Sequence, residues 1–495
     1  MNDVVLKDLK GKTVRGGIVT LSGQAVKVLL RTGSVMLLAR LLLPEEFGLV
    51  GMVSAVTGAF GLFKDAGLTM LTVQRATISE AQISTLFWIN AAVGAMLAIL
   101  SLAIAPVLVH FYHEPRLFWI TAAMSTAFVF SALTAQHQAL LQRAMRYTTI
   151  AVIEVLAQLA GISVGVGMAL SGFGYWALVG MAVSEPAVIS VGAFTALRWI
   201  PGRPQRGVGI RSMLNFGGTV TLNGLVDYIA YNVDKILLGR LRGAEVLGLY
   251  GRAYQLMKMP TDQLNSAVGW VSFTALSRIQ DDPDRFRNYF LKGYTLTLAA
   301  TVPLAIMCAL FSEELVHVLL GPKWSDAAVI LRYLAPAILA FPIMNPFRWL
   351  LIARGQVGRN LRMSLAIAPV LIAGYVIGLA HGPAGVALGF SAALTIMIVP
   401  MIAWAIEGTP ISSRDIVRVV REPFLSGVVA AAVAFGARYF FGHGIAPITG
   451  LLLGGIVLLG SYLGMLLYVM GQKEMYLDVL RKMRSRSADG ENGHE

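Results

Sequence analysis

Two basic side chains one helical turn apart stand in the middle of an apolar stretch, Lys27 and Arg31. Gln24 precedes them at a spacing of three, so all three share one face of a helix. A charged side chain near a bilayer centre costs at least about 2.5–3.5 kcal/mol on insertion scales, which makes such a residue a site candidate by default. Two cations at this spacing also repel each other, so an anion is required nearby. One source is a carboxylate elsewhere in the chain, Asp227 or Glu185; the other is an anionic substrate. A phosphate or diphosphate suits the pair, with lysine as a point charge and arginine as a two-pronged donor.

Other charges at membrane depth fill out the constellation. The stretch around 213–238 carries Asp227, Asn232, Asp234 and Lys235. Asp234 and Lys235 are adjacent and point about 100° apart on a helix, too far for a simple pair. The stretch is therefore of mixed charge, with Asp227 and Asp234 as candidate cavity carboxylates beside the cation Lys235. Glu185 lies mid-span before Pro186, and Glu154 lies in the inner third of its span. Burial disfavours the ionised form of a carboxylate, so either could hold a coupling proton or Na⁺. Lys258 and Asp262 flank Pro260 at a spacing of four, the geometry of a structural ion pair at a kink. Arg348 and Lys64 fall near span ends and can snorkel to water; Arg40 and Arg240 close the opposite ends.

Catalytic patterns are weak. Gly11-Lys12-Thr13 resembles the end of a phosphate loop, yet Leu6 stands where its first glycine belongs. His110, His113 and Glu114 read as a short interfacial loop. The single cysteine, Cys308, excludes an internal disulfide and a Cys/His metal site. The expectation is a protein that is not an enzyme and carries no metal or cofactor.

The elements that must position these residues follow from hydropathy. The 495 residues are 56% hydrophobic and only 14% charged, with mean hydropathy +0.69. Apolar runs such as Ala91–Leu108, Ala160–Val183 and Gly444–Met470 suffice for the roughly 20 residues that cross a bilayer. Hydropathy and helix breakers place about fourteen transmembrane helices near 17–42, 47–68, 84–108, 117–140, 148–170, 173–197, 213–238, 246–273, 289–311, 327–352, 361–380, 385–405, 424–441 and 447–470. The fold class is an all-α polytopic membrane protein. Alternating segments of a β-barrel are lacking.

A net charge of +13 would suggest nucleic acid in a soluble protein, but here it reflects basic cytoplasmic loops. One side collects Lys7, Lys10, Lys12 and Arg15, then Arg198, Arg203, Arg206 and Arg211, then Arg414, Arg418 and Arg421, among others. The opposite loops hold Arg116, Arg240, Arg242 and Lys323. Both termini are therefore expected in the cytoplasm, and no nucleic-acid partner is expected. Residues 1–16 read as an amphipathic cytoplasmic surface segment rather than a signal peptide, and 471–495 as a cytoplasmic tail. The longest outward loop runs from Ser312 to Asp326.

An internal repeat organises the chain. LARLLLPEEFGLVG (38–51) aligns with LGRLRGAEVLGLYG (238–251), matching Arg40/Arg240, Glu45/Glu245, Gly48/Gly248 and Gly51/Gly251 among others. Upstream, GIVTLSG (17–23) meets GTVTLNG (218–224). Six predicted helices separate the copies, so they share one orientation and form parallel repeats. The expected plan is a six-helix bundle over 17–197, a basic linker over 198–212 and a second six-helix bundle over 213–405. Two added helices over 424–470 complete it. The two bundles would enclose a central cavity.

Several segments resemble the oligosaccharide-lipid flippases of the Wzx type, nearest to the colanic-acid-exporter-like branch of polysaccharide biosynthesis proteins. They are ARLLLPEEFGLVGM (39–52), FKDAGLTMLTVQR (63–75), NVDKILLGRLRGAEVLGLYGRAYQL (232–256), LSRIQDD (276–282) and VLLGPKWSDAAVILRYL (318–334). That family lies in the superfamily of multidrug/oligosaccharidyl-lipid/polysaccharide exporters, with the multidrug antiporters and the lipid II flippase. The resemblance implies a bacterial inner-membrane transporter working by alternating access, with H⁺ or Na⁺ coupling. Its cargo would be an undecaprenyl-diphosphate-linked oligosaccharide destined for exopolysaccharide, capsule or O-antigen. Membrane lipids, a polysaccharide polymerase and chain-length machinery are the implied partners. It also implies that Lys27 and Arg31 meet the diphosphate, with Asp227, Asp234 and Lys235 facing them. The alternatives are a drug or cation antiporter of the same fold, a lipid II flippase and, from another class, a membrane glycosyltransferase or polymerase.

Overall fold

The computed structural model describes residues 2–64, 69, 72–73, 78–205, 224–279, 282–354, 356–441, 446–474 and 476–477. Among them there is no strand. The helices are α1 (Asn2–Leu41), α2 (Pro44–Thr57), α3 (Glu80–Tyr112), α4 (Leu117–Arg143), α5 (Tyr147–Leu170), α6 (Trp176–Leu197), α7 (Val233–Arg278) and α8 (Pro283–Leu310). They continue with α9 (Ser312–Leu319), α10 (Asp326–Ala353), α11 (Val357–Leu379), α12 (Gly382–Ile406), α13 (Ser413–Phe441) and α14 (Pro447–Gly464). A further helical segment covers 224–230. Nine helices among the described residues are long and apolar enough to cross a membrane. The all-α polytopic class stands.

Local chemistry sets the boundaries. Pro44 opens α2 at a position where its missing N–H costs nothing, and Glu46 turns back to accept from the Leu43 amide at 2.7 Å. Ser79 and Gln82 cap α3 reciprocally, at 3.2 and 3.0 Å. Asp282 caps α8 by accepting from the Arg285 amide at 3.1 Å. Within α7 the helix breaks at Gly243, whose φ of 86° and ψ of 179° belong to glycine. The break falls between the two spans read at 213–238 and 246–273. The upstream repeat copy at 218–224, all but its last residue, lies outside the described residues, as do 206–212 of the basic linker.

The chain condenses into two compact units. The first comprises Met1–Gly251 with Leu320–Trp324; the second comprises Arg252–Leu319 with Ser325–Glu495. In the first, α3 packs on α4, α5 on α6, and α1 on α5. In the second, α11 and α12 approach so closely that a Cβ on Gly378 would strike the Gly385 carbonyl. There α13 and α14 close a small core of Val302, Phe311, Ala430, Leu458 and Tyr462 with α8.

The first unit reaches past the expected bundle boundary at 197 because the repeat copies grip each other inside it. A Cβ on Gly48 would collide with the Ala244 carbonyl, and one on Gly248 with the Pro44 carbonyl. Ala244 and Pro44 are themselves equivalent positions of the repeat, so the contact is reciprocal. Tyr228 adds a hydrogen bond to the Ser54 carbonyl at 2.8 Å.

Residues 2–16 continue into the first span, α1 running unbroken to Leu41. One expectation changes. The stretch 312–326 is not a plain loop: it forms α9 and a 3₁₀ turn at Pro322–Trp324. Trp324 is fully buried there, donating to the Ala39 carbonyl at 2.8 Å with Phe47 edge-on at 5.3 Å.

Candidate functional site

Lys27 and Arg31 stand on α1 as the spacing requires, and they are held differently. The Lys27 ammonium meets Glu154 of α5 at 2.7 Å, each side chain keeping about a third of its surface exposed. One turn along α5, Gln158 donates to the Lys27 carbonyl at 2.9 Å. The helices can come this close because Gly23 faces Ala151, where an added Cβ would sit 3.1 Å from the alanine methyl. Arg31 is exposed, and among the described residues its guanidinium has no ion-pair partner. The carboxylate opposite Lys27 is therefore Glu154, in place of Asp227 or Glu185.

The second group splits in two. Lys235 is half-buried, donating to Asn232 Oδ1 at 2.7 Å and to the Tyr231 carbonyl at 3.2 Å. Asp234 has no exposed surface, and Tyr250 donates to it at 2.7 Å. The hydrogen bond joins the two arms of the bend at Gly243. Asp227 is half-buried on the helical segment before it. Lys258 lies 6.0 Å above the Tyr254 ring, a cation–π contact on the same face as Asp262 one turn on.

Glu185 stands apart from these groups. It lines a cavity of about 300 Å³ in the first unit with Lys64, Thr69, Ser131, Thr134 and Gln138. Among the described residues its carboxylate has no ion-pair partner. The wall supplies hydroxyl and amide groups together with the Lys64 side chain.

The loop chemistry is structural. Arg116 bridges Glu45 at 2.6 Å and Glu114 at 2.8 Å, and its hydrogen bonds hold the Glu114 carboxyl below the usual carboxylate range. His110 and His113 stack edge-on at 6.1 Å, and no metal-binding cluster occurs among the described residues. Residue spacing missed Glu154 as the Lys27 partner, Tyr250 as the Asp234 partner and Trp324 as a plug. Only Tyr250 and Trp324 fall in segments that carried the family resemblance.

Residues 37–329 match the polysaccharide biosynthesis protein family. The lipopolysaccharide biosynthesis protein WzxC of Escherichia coli (strain K12) is 27% identical over 391 residues, 77% of this chain and 78% of that one. The teichuronic acid biosynthesis protein TuaB of Bacillus subtilis is 29% identical, covering 59% of this chain and 61% of its own. The succinoglycan biosynthesis transport protein ExoT of Rhizobium meliloti is 24% identical over 61% of each. Among solved structures, the lipid II flippase MurJ in an inward closed conformation superposes with TM-score 0.75 at 14% identity, covering 93% of this chain and all of that one. An inward-facing multidrug transporter of the MATE family gives 0.60 at 12% identity over 82% of this chain and 99% of its own. At such identities the likeness is one of fold. The match to residues 37–329 spans more than half of the chain, and this multi-pass membrane protein belongs to the polysaccharide biosynthesis protein family.

Proposed function

We propose that the chain is a flippase, not an enzyme, which moves an undecaprenyl-diphosphate-linked oligosaccharide from the inner to the outer leaflet of a bacterial cytoplasmic membrane. Both termini lie in the cytoplasm on this reading, and a polymerase with chain-length machinery receives the cargo outside. The observation that carries the proposal is the α1 pair: one free guanidinium at Arg31 beside an ammonium at Lys27 whose only described ion-pair partner is the carboxylate of Glu154. A diphosphate entering there binds Arg31 directly and takes over Lys27 by displacing Glu154. Lys27 then exchanges one anion for another and is never left bare, which keeps the desolvation cost of its charge low.

The coupling ion, H⁺ or Na⁺, is part of the same proposal. We place the exchanged ion on Glu185, whose carboxylate has no ion-pair partner among the described residues and which shares its cavity with Lys64. Lys235, Asp227 and the Lys258–Asp262 pair serve the second repeat in shaping and bracing the path.

Complementation of a flippase-null strain tests the proposal. The variant Lys27→Ala with Arg31→Ala should insert normally and restore no surface polymer. Normal polymer output from it would remove the diphosphate from these residues. Restored drug export in its place would transfer the chain to the antiporters.

A further inference from the structure

The foot of α13 carries three arginines that no protein group holds among the described residues. Arg414, Arg418 and Arg421 follow spacings of four and three, so they lie on one helical face over about 10 Å. All three are exposed, and among the described residues none has an ion-pair or hydrogen-bond partner. With Ser413 and Val417 they line an open recess of about 350 Å³. The two acids nearby are already engaged. Asp415 takes Arg287 from α8 in a two-pronged pair, with Nε at 2.8 Å, and Glu422 accepts from Gln472.

Other arginines of the second unit contrast with this triad. Arg354 donates to the Gly408 carbonyl at 2.7 Å, and Arg359 pairs with Glu407 at 2.7 Å. A basic loop that only sets orientation needs positive charge close to the bilayer. It does not need three unpaired guanidinia in register. Above them the same face turns apolar and stays uncovered: Leu425 is 43% exposed, Val428 53% and Phe435 59%. The face has a cationic foot and a hydrocarbon shaft, which is the complement of an anionic amphiphile.

We propose that this face of α13 binds an anionic phospholipid of the cytoplasmic leaflet, its phosphate held by Arg414, Arg418 and Arg421 and its acyl chains along Leu425 and Val428. The inference rests on the orientation given above and is independent of the cargo. The cargo is the poorer occupant, because the recess offers guanidinia, one hydroxyl and one valine, and few neutral groups that could read a sugar. Basic clusters at the cytoplasmic end of membrane helices gain about 1 kcal/mol per cation from anionic lipid, so three correspond to a loss on the order of a hundredfold in affinity when removed.

The test uses the full chain, purified in a neutral detergent, and counts retained lipid by native mass spectrometry. The probes are phosphatidylglycerol, phosphatidylcholine, undecaprenyl diphosphate and inorganic pyrophosphate. The wild type should retain phosphatidylglycerol over phosphatidylcholine, with retention falling as salt rises. The variant R414Q/R418Q/R421Q should lose that preference while eluting and unfolding as the wild type does in detergent alone. If the triple variant fails to fold, single Arg→Gln variants should each weaken retention several-fold. Equal retention by wild type and variants overturns the proposal. Preferential, triad-dependent retention of undecaprenyl diphosphate hands the site to the cargo, and equal binding of free pyrophosphate removes the membrane from it. Normal flipping by the Lys27→Ala, Arg31→Ala variant together with triad-dependent phosphatidylglycerol retention would count against the cargo site alone.

Discussion

A lysine and a glutamate that meet at 2.7 Å in a membrane protein invite two opposite experiments. Glu154→Gln leaves the Lys27 charge without its counter-ion and is expected to destabilise the fold by about 1–3 kcal/mol, read as a lowered Tm in detergent. The double change Lys27→Ala with Glu154→Gln should recover most of that loss while staying inactive, and a double variant as unstable as the single one would show that the pair is not coupled. The sequence brought Lys27 and Arg31 into view because charge at that depth is expensive anywhere. It did not name the partner, because Lys27 and Glu154 are 127 positions apart and only the packing of α1 on α5 decides which acid arrives. The depth of Asp234 was legible, whereas its burial against Tyr250 depends on the bend at Gly243.

Between elements, single contacts join helices that the sequence shows only as separate apolar runs. The Asp415 carboxyl is held well below the usual carboxylate range, chiefly by its hydrogen bond to Arg287 and also by Ser412. A carboxyl depressed in the folded state stabilises it above the unfolded pKa of about 4, and the contribution disappears as pH falls through the folded value. Asp415→Asn should therefore lower Tm at neutral pH and converge with the wild type in strong acid. Parallel melting curves at every pH would rule the α8–α13 tie out as a stabilising element. Gly48 makes the complementary case. Alanine there meets the backbone of Ala244, which cannot rotate away, and overpacking of this kind costs about 1–3 kcal/mol or forces the helices apart. The expected readout is faster thermal unfolding together with greater labelling of a cysteine placed at Glu245; neither change would mean that the contact opens freely. Helix positions were legible from hydropathy in most cases, whereas α9 was not. Its eight residues are too short for a span, and Trp324 beyond it is pinned by α1, far away in sequence.

For the whole molecule, the basic residues make a topological prediction that fold likeness does not settle. The chain has one cysteine, buried Cys308, so Cys308→Ser supplies a clean background. In intact cells an impermeant thiol reagent should label Lys323→Cys, and it should reach Arg414→Cys only after permeabilisation. The reverse pattern would invert the flippase reading and move the α13 lipid site to the other leaflet. The repeat that relates the two halves was legible because glycine, glutamate and arginine recur at one offset. How the compact units divide was not, since the boundary at Gly251 reflects contacts and not spacing.

The glycine contact between the repeat copies has a consequence for how such a chain can become asymmetric. Position 48 touches 244 while position 248 touches 44, which is the arithmetic of an isologous dimer made by two identical half-length chains. In such a dimer the two copies of the first helix would carry identical charges, lysine answering to lysine. Joining the halves into one chain frees them to diverge. The stretch holding Lys27 and Arg31 now answers to one holding Asp227 and Tyr228, so one half can present a cation where the other presents an acid. The glycines remain as the fixed point about which that difference was built.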